Sequence, residues 1–406
     1  MVIITAFVVL VFLYSLVSRR LEHTIITAPI VFTAAGVLLS LAISGSRELN
    51  ITRETFLKLA EIGLVMLLFA DATRIDLHTL RSRERLPLRL LSIGMLLTIL
   101  LGAIAGHLIF LRLSIWEAGI LAAILAPTDA GLGQVIVHST KVPLRIRQAL
   151  DVEAGLNDGL SVPFLMFFIA VSQIGTEGAG RVLLTYVVEQ LGMGALVGGV
   201  IGLAGGWLMG LARCQGWMAE SVQHLGLVTL PILSILACEP VGGSMFIAAY
   251  VAGLAVQIGC RDAGTLSVAF IDGWGQLFDY FVFFFFGLLV ALAFPRFSFA
   301  HALYAILSLT VVRMIPVAVA LMRTHLSAAT VLFIGWFGPR GLASIVLGLV
   351  YLEEITHVPE EETIKLAVMV TVMLSIFAHG FSALPGIALY ARKVATLVAT
   401  SPENRP

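Results

Sequence analysis

Three short stretches of this 406-residue chain set charged or oxygen-bearing side chains inside apolar sequence. In Glu153-Ala154-Gly155-Leu156-Asn157-Asp158, Glu153 and Asn157 are four residues apart and share a helical face, while Asp158 is turned about 100° from Asn157. One helix thus offers three oxygen-bearing side chains, the hard-donor chemistry that suits a small cation. The apolar run Leu160 to Val171 is too short to cross a bilayer, so the span begins earlier and Asp158 lies at some depth. In Leu125-Ala126-Pro127-Thr128-Asp129-Ala130-Gly131 the proline removes a backbone donor and frees the carbonyl a turn earlier. Unwinding there would expose carbonyls to an ion and set Asp129 at the positive N-terminal end of a half-helix. The third stretch, Phe337-Gly338-Pro339-Arg340-Gly341-Leu342-Ala343, interrupts another apolar run in the same way.

A charge at the bilayer centre costs at least about 2.5 to 3.5 kcal/mol, which makes each one a functional candidate. Arg313, within Leu309 to Pro316, calls for a bidentate carboxylate, and Glu153 is the preferred partner. Arg340 is the other available cation; otherwise it serves helix C-terminal carbonyls at the break. Asp71 ends an apolar run ahead of Arg74 and Asp76, which fits a solvated helix end as well as a site. Asp151 reads as an acidic residue favoured by the dipole at a helix start. Asp272 and Asp279, flanking Trp274, read as interfacial, and His107, His138, His224 and His379 as scattered structural histidines.

The elements that position these groups are membrane spans. Hydrophobic residues make up 59% of the chain and charged ones 12%, against about 25% charged in soluble domains. Mean hydropathy is +1.00. Net charge is zero, so nothing points to nucleic acid, and the three cysteines are widely spaced packing residues. The N-terminal run has neither a basic flank nor a cleavage pattern and reads as an uncleaved span. A ruler of about 20 apolar residues yields thirteen spans, near 1–18, 24–44, 55–72, 86–111, 115–138, 149–174, 182–212, 221–238, 241–260, 270–294, 300–322, 326–352 and 364–390. The expected class is all-α integral membrane in one transporter domain: a first repeat over 1–174, a linker helix over 182–212, a second repeat over 221–390, and a short cytoplasmic tail over 391–406.

Placing the N-terminus outside and the C-terminus in the cytoplasm puts sixteen Lys and Arg on the cytoplasmic side and seven on the other, with Arg313 and Arg340 inside spans. The interrupted spans five and twelve lie seven apart, as do spans two and nine with Ala34-Ala35-Gly36-Val37-Leu38 and Val251-Ala252-Gly253-Leu254-Ala255. An odd offset reverses orientation. Paired interruptions in inverted repeats mark the midplane site of a secondary transporter.

Taken together, Ala126-Pro-Thr-Asp129, Glu153-Ala-Gly-Leu-Asn-Asp158, Gly338-Pro-Arg-Gly341 and Leu68-Phe-Ala-Asp71 resemble motifs of the cation/proton antiporter superfamily, specifically the NhaP-like sodium/proton antiporters related to animal exchangers. The resemblance covers nearly the whole chain. It implies two inverted repeats of six helices, crossed unwound helices five and twelve, a homodimer in the inner (plasma) membrane, and no cofactor. Asp158 becomes the shared carrier of cation and proton, with Asn157, Thr128, Asp129 and Asp71 as ion- and proton-binding residues, Na+ held by Asp158, Thr128 and Asp71, Glu153 paired to Arg313, and Arg340 as the charge at the helix break. The sequence departs from the family pattern at Ala154, where Ser is frequent, and at Ala130, where Pro is. The expected activity is one-for-one electroneutral exchange of Na+, Li+ or K+ for H+, because desolvation favours the proton-bound form of a buried carboxylate and that carboxylate holds one or the other. The alternative is a channel or ion-sensing subunit using the same carboxylates. No nucleophile/base pairing or metal-ligand spacing suggests an enzyme.

Overall fold

The computed structural model describes residues 2–21, 24–43, 62–63, 65–70, 72–73, 85–174, 187–260, 263–354, 360–397 and 401–404. Regular structure among the described residues is helical throughout, as lipid demands: a backbone crossing hydrocarbon must satisfy its own N–H and C=O groups. Among the described residues eight helices are long and apolar enough to span, and four shorter apolar ones accompany them. The chain is a multi-pass membrane protein.

The helices are α1 (Val2–Leu21), α2 (Ala28–Ile43), α3 (Arg85–Arg89), α4 (Met95–Ile109), α5 (Ile115–Ile124), α6 (Ala130–Val137), α7 (Leu144–Ile174), α8 (Gly194–Cys214), α9 (Glu220–Cys238), α10 (Met245–Gly259), α11 (Ala263–Ala293), α12 (Phe299–Leu309), α13 (Val311–Ala320), α14 (Ala328–Trp336), α15 (Leu342–Glu354) and α16 (Glu361–Val394). Wider π turns at Leu90–Gly94 and Val187–Met193 lead into α4 and α8. Local chemistry sets several starts. Ser114 accepts from the Glu117 amide while Glu117 accepts from the Ser114 amide, a capping box that opens α5. Gly242, at φ +67°, turns the chain between α9 and the Ser244 cap of α10.

Two features differ from the apolar ruler. Span six starts at Leu144 rather than 149, because half-buried Arg145 and Arg147, which donate to the carbonyls of Pro402 and of Val142 and Val137, extend the helix beyond its apolar stretch, starting just after Pro143. That places Asp151 in the third turn, away from the helix start proposed for it. Span eleven is broken at Thr310 (φ −109°, ψ −89°), a kink the sequence does not mark. Half of span three, residues 55–61, 64 and 71, lies outside the described residues.

Packing relies on close backbone approach. Gly194, Gly198, Gly202 and Gly206 line one face of α8, where a Cβ would run into Ser244, Ala248, Ala252 and Val256 of the α10 segment. Lipid gives helices no hydrophobic reason to associate, so small residues that maximise contact do the work. Gly36 of α2 and Gly287 of α11 meet in the same manner, flanked by the stacked rings of Phe32 and Tyr280, 4.4 Å apart.

Candidate ion-binding site at the helix crossing

The breaks between α5 and α6 and between α14 and α15 meet. The Asp129 amide donates to the Pro339 carbonyl at 2.8 Å. The Asp129 carboxylate accepts from the Leu132 amide at 2.7 Å, capping α6, and its other oxygen accepts from the Leu342 amide at the start of α15. One buried anion therefore serves two helix N-termini, which bring exposed N–H groups and a positive dipole end. Gly341 is required at this point, since a Cβ there would occupy the space of the Asp129 carboxylate.

Arg340 does the reverse. Fully buried, it donates through Nη1 to the Ala126 carbonyl at 2.6 Å and the Pro127 carbonyl at 2.8 Å, the groups released by the interruption after α5. Its own amide donates to Ser375 Oγ at 2.6 Å. His379 Nδ1 lies 3.1 Å from the Ser375 hydroxyl and 2.9 Å from the Ser375 carbonyl, and His379 Nε2 lies 2.9 Å from the Trp336 carbonyl. Through Ser375 and His379, α16 ties down both ends of the second break. Ser375 and His379 carry no sequence signal that separates them from other polar residues in spans.

Arg313 of α13 and Glu153 of α7 form a bidentate pair, Nη1 to Oε1 at 2.6 Å and Nη2 to Oε2 at 2.9 Å, with both side chains about 3% exposed. Of the two cations that compete for Glu153 on sequence grounds, Arg313 takes it and Arg340 goes to the carbonyls. The guanidinium lies on Gly338, where a Cβ would come within 2.7 Å of Cζ. Both glycines flanking Pro339-Arg340 thus make room for charged groups.

One turn on from Glu153, the Asn157 amide Nδ2 donates to Thr128 Oγ1 at 2.6 Å, joining α7 to the first break. Asn157 Oδ1 is buried without a hydrogen-bond partner among the described residues. Asp158 is 6% exposed, and the ring of Tyr250 from α10 packs on the next residue, Gly159. Thr128, Asp129, Glu153, Asn157, Arg313 and Arg340 therefore assemble around the crossing of the two breaks, and buried Asp158 follows Asn157 on α7. Asp71 and Glu61 lie outside the described residues. Among the described residues no three His, Cys, Asp or Glu side chains group as a metal site.

Comparison with known proteins agrees with this architecture. The model of the family "Sodium/hydrogen exchanger, transmembrane" matches residues 4–386. The K(+)/H(+) antiporter NhaP of Alkalimonas amylolytica is 27% identical over 393 residues, covering 92% of this chain and 64% of that protein. NhaP2 of Shewanella oneidensis, a K(+)/H(+) antiporter, is 24% identical and covers 83% and 58%; a Na(+)/H(+) antiporter of Schizosaccharomyces pombe is 25% identical and covers 75% and 70%. The chain thus spans about three-fifths of the length of the first two relatives. In fold it is similar to the sodium proton antiporter MjNhaP1 from Methanocaldococcus jannaschii, with a TM-score of 0.70 at 21% identity over 94% of this chain and 99% of that one. A matched family model over nearly the whole length, on a helical membrane fold that brings two broken helices together, makes the chain a member of the transmembrane sodium/hydrogen exchanger family.

Proposed function

We propose that the chain is a secondary active antiporter that exchanges a monovalent cation for H+ by alternating access, with Asp158 as the shared carrier. The observation that supports this reading most is the distribution of buried charge at the crossing. Asp129 and Arg340 each bond to the backbone ends of the two breaks, and Glu153 pairs with Arg313. Among the described residues of the crossing those four charges sum to zero, and Asp158 adds one more carboxylate. Its carboxylate is neutralised by a proton or by a cation, and transit of either leaves the site uncharged, which gives one-for-one electroneutral exchange. Asn157 and Thr128 offer oxygen without titrating. Na+, Li+ and K+ all suit such donors, and the relatives named for K+ and for Na+ are consistent with either cargo.

The Lys- and Arg-rich loops orient the protein with its N-terminus outside and its C-terminus in the cytoplasm. The repeats over 1–174 and 221–390, joined through a linker helix, place the site between them, and a homodimer fits the MjNhaP1-like fold.

The test is cation-driven proton flux in proteoliposomes with sodium, lithium and potassium compared across pH. Asp158→Asn is expected to abolish exchange while leaving expression and melting behaviour intact. Undiminished exchange in that variant rules out the carrier assignment, and cation flux without proton movement in the unmodified protein marks a channel.

A further inference from the structure

Away from the crossing, at the end of the molecule opposite the Lys/Arg-rich loops, α15 is wedged between α5 and α16. A Cβ on Gly348 of α15 would lie 3.9 Å from Ile124 of α5 and 3.4 Å from Val368 of α16. Glu117 precedes Ile124 by seven residues and Glu361 precedes Val368 by seven, so each keeps the face that meets α15, about 10 Å further out. Both helices run from this end toward the crossing, α5 to the first break and α16 to the Ser375 and His379 contacts with the second. That shared step therefore brings the two carboxylates together beside Tyr351, three residues beyond Gly348 on the same face of α15. Electrostatics agree, since Glu361 and Glu117 both act on the Tyr351 hydroxyl. Glu117 is 7% exposed and Tyr351 1%. One Glu117 oxygen, Oε2, is accounted for by capping the Ser114 amide, but Oε1 and the Tyr351 hydroxyl are buried with no hydrogen-bond partner among the described residues. Arg296 and Lys365, the basic groups beside α16, both go to Glu362. Two carboxylates facing each other out of water repel unless a proton or a cation lies between them.

We propose that Glu117, Tyr351 and Glu361 form a second cation site, separate from the crossing, which takes a divalent cation of the Ca2+ type from the outer face. Two carboxylates balance a double positive charge, and Ca2+ accepts an irregular set of carboxylate, hydroxyl and water oxygens where Mg2+ demands a near-ideal octahedron. Glu353, Glu354, Glu360 and Glu362 in the adjoining sequence raise the local concentration of cations. The ion ties α5, α15 and α16 together at their outer ends, as Asp129 and Arg340 tie α5 and α15 at their inner ones. It is not cargo, and the site does not depend on the antiporter reading.

The probe is Ca2+, and the readouts are equilibrium dialysis with radioactive Ca2+ and thermal unfolding of the purified protein, neither of which needs transport. The unmodified protein and Asp158→Asn are both expected to bind Ca2+ with half-saturation of about 10⁻⁴ to 10⁻³ M, the range of extracellular calcium modules. Both should melt higher in CaCl2 than in NaCl of equal ionic strength. Glu117→Gln keeps an oxygen for the Ser114 amide, so the capping box survives while the charge is lost. It and Glu361→Gln are expected to weaken Ca2+ by about tenfold or more, Tyr351→Phe by a smaller factor, and Glu362→Gln not at all. No Ca2+ bound beyond the NaCl control overturns the proposal and leaves a shared proton between the carboxylates. Binding that Asp158→Asn removes also overturns it, because the ion then sits at the crossing. So does binding that Glu117→Gln and Glu361→Gln leave unchanged, and so does equal weakening in Glu362→Gln, which marks diffuse attraction to an acidic rim. If Glu361→Gln does not fold, Glu117→Gln and Tyr351→Phe decide.

Discussion

Breaking the Glu153–Arg313 pair is expected to be among the most damaging single changes in the molecule. Both side chains are about 3% exposed and joined by two charge-assisted bonds of 2.6 and 2.9 Å. At charge centres about 4 Å apart the attraction is about 4 kcal/mol for an effective dielectric near 20. Glu153→Gln also leaves Arg313 buried with its charge uncompensated, and Nε already has no acceptor among the described residues. Removal of one partner from such a pair typically costs about 3 to 5 kcal/mol, or a melting temperature lower by roughly 4 to 6 °C in a chain of this length. The assay is thermal unfolding of the purified protein in detergent for Glu153→Gln, Arg313→Met and Glu153→Leu/Arg313→Met. The double replacement removes both charges and is expected to recover most of the loss. Single variants that melt with the unmodified protein would refute the argument, as would a double variant whose loss is the sum of its parts.

Gly202→Ala is expected to destabilise by about 1 to 3 kcal/mol, although Gly to Ala in a helix ordinarily gains about 0.5 to 1. Its Cβ would lie 2.8 Å from Ala252 Cα and from Ala255 Cβ, whereas Gly199→Ala in the same helix meets only Val251 Cγ1 at 4.0 Å and should be neutral or stabilising by the same melt. Gly341→Ala is expected to displace the Asp129 carboxylate from α15 and abolish exchange; retained flux would show that this contact is dispensable. Glu403, outside the spans, is 2% exposed; burial disfavours its charge, but donation from the Ser327 amide and the Thr330 hydroxyl prevails and holds its carboxyl below the usual carboxylate range. A depressed carboxyl stabilises its contact above the unfolded value of about 4.3 and loses that stabilisation as pH falls through the folded value. Tail docking should therefore persist at neutral pH and release in acid, whereas Glu403→Gln should loosen it at neutral pH, read as faster hydrogen exchange of the Ser327 amide.

Much of the site was legible because membrane sequence makes polar residues conspicuous. Pro127 and Pro339 marked both breaks, and Asp129, Arg313 and Arg340 stood out against apolar neighbours. What sequence left open was geometry. Nothing in the composition decides between two arginines for Glu153, since the choice depends on Gly338 giving Arg313 a surface to lie on. Ser375 escaped because serine satisfies itself within a helix too easily to stand out. The start of α7 was missed for a related reason: an apolar ruler measures what lipid covers, and Arg145 and Arg147 are helical but charged, satisfied by protein carbonyls. That misplacement in turn supplied a dipole explanation for Asp151, which the third-turn position removes.

The double use of Asp129 limits how the molecule can move. Two rods that terminate on one side chain share a pivot, and neither slides or rotates alone without both losing their caps. Arg340 adds the matching restraint on the α5 carbonyls, so α5, α6, α14 and α15 have few independent degrees of freedom. Any motion that presents the site to opposite sides of the bilayer must carry this assembly as one rigid block. Its compliance then belongs elsewhere, at irregular places such as the Leu90–Gly94 and Val187–Met193 turns and the Thr310 kink.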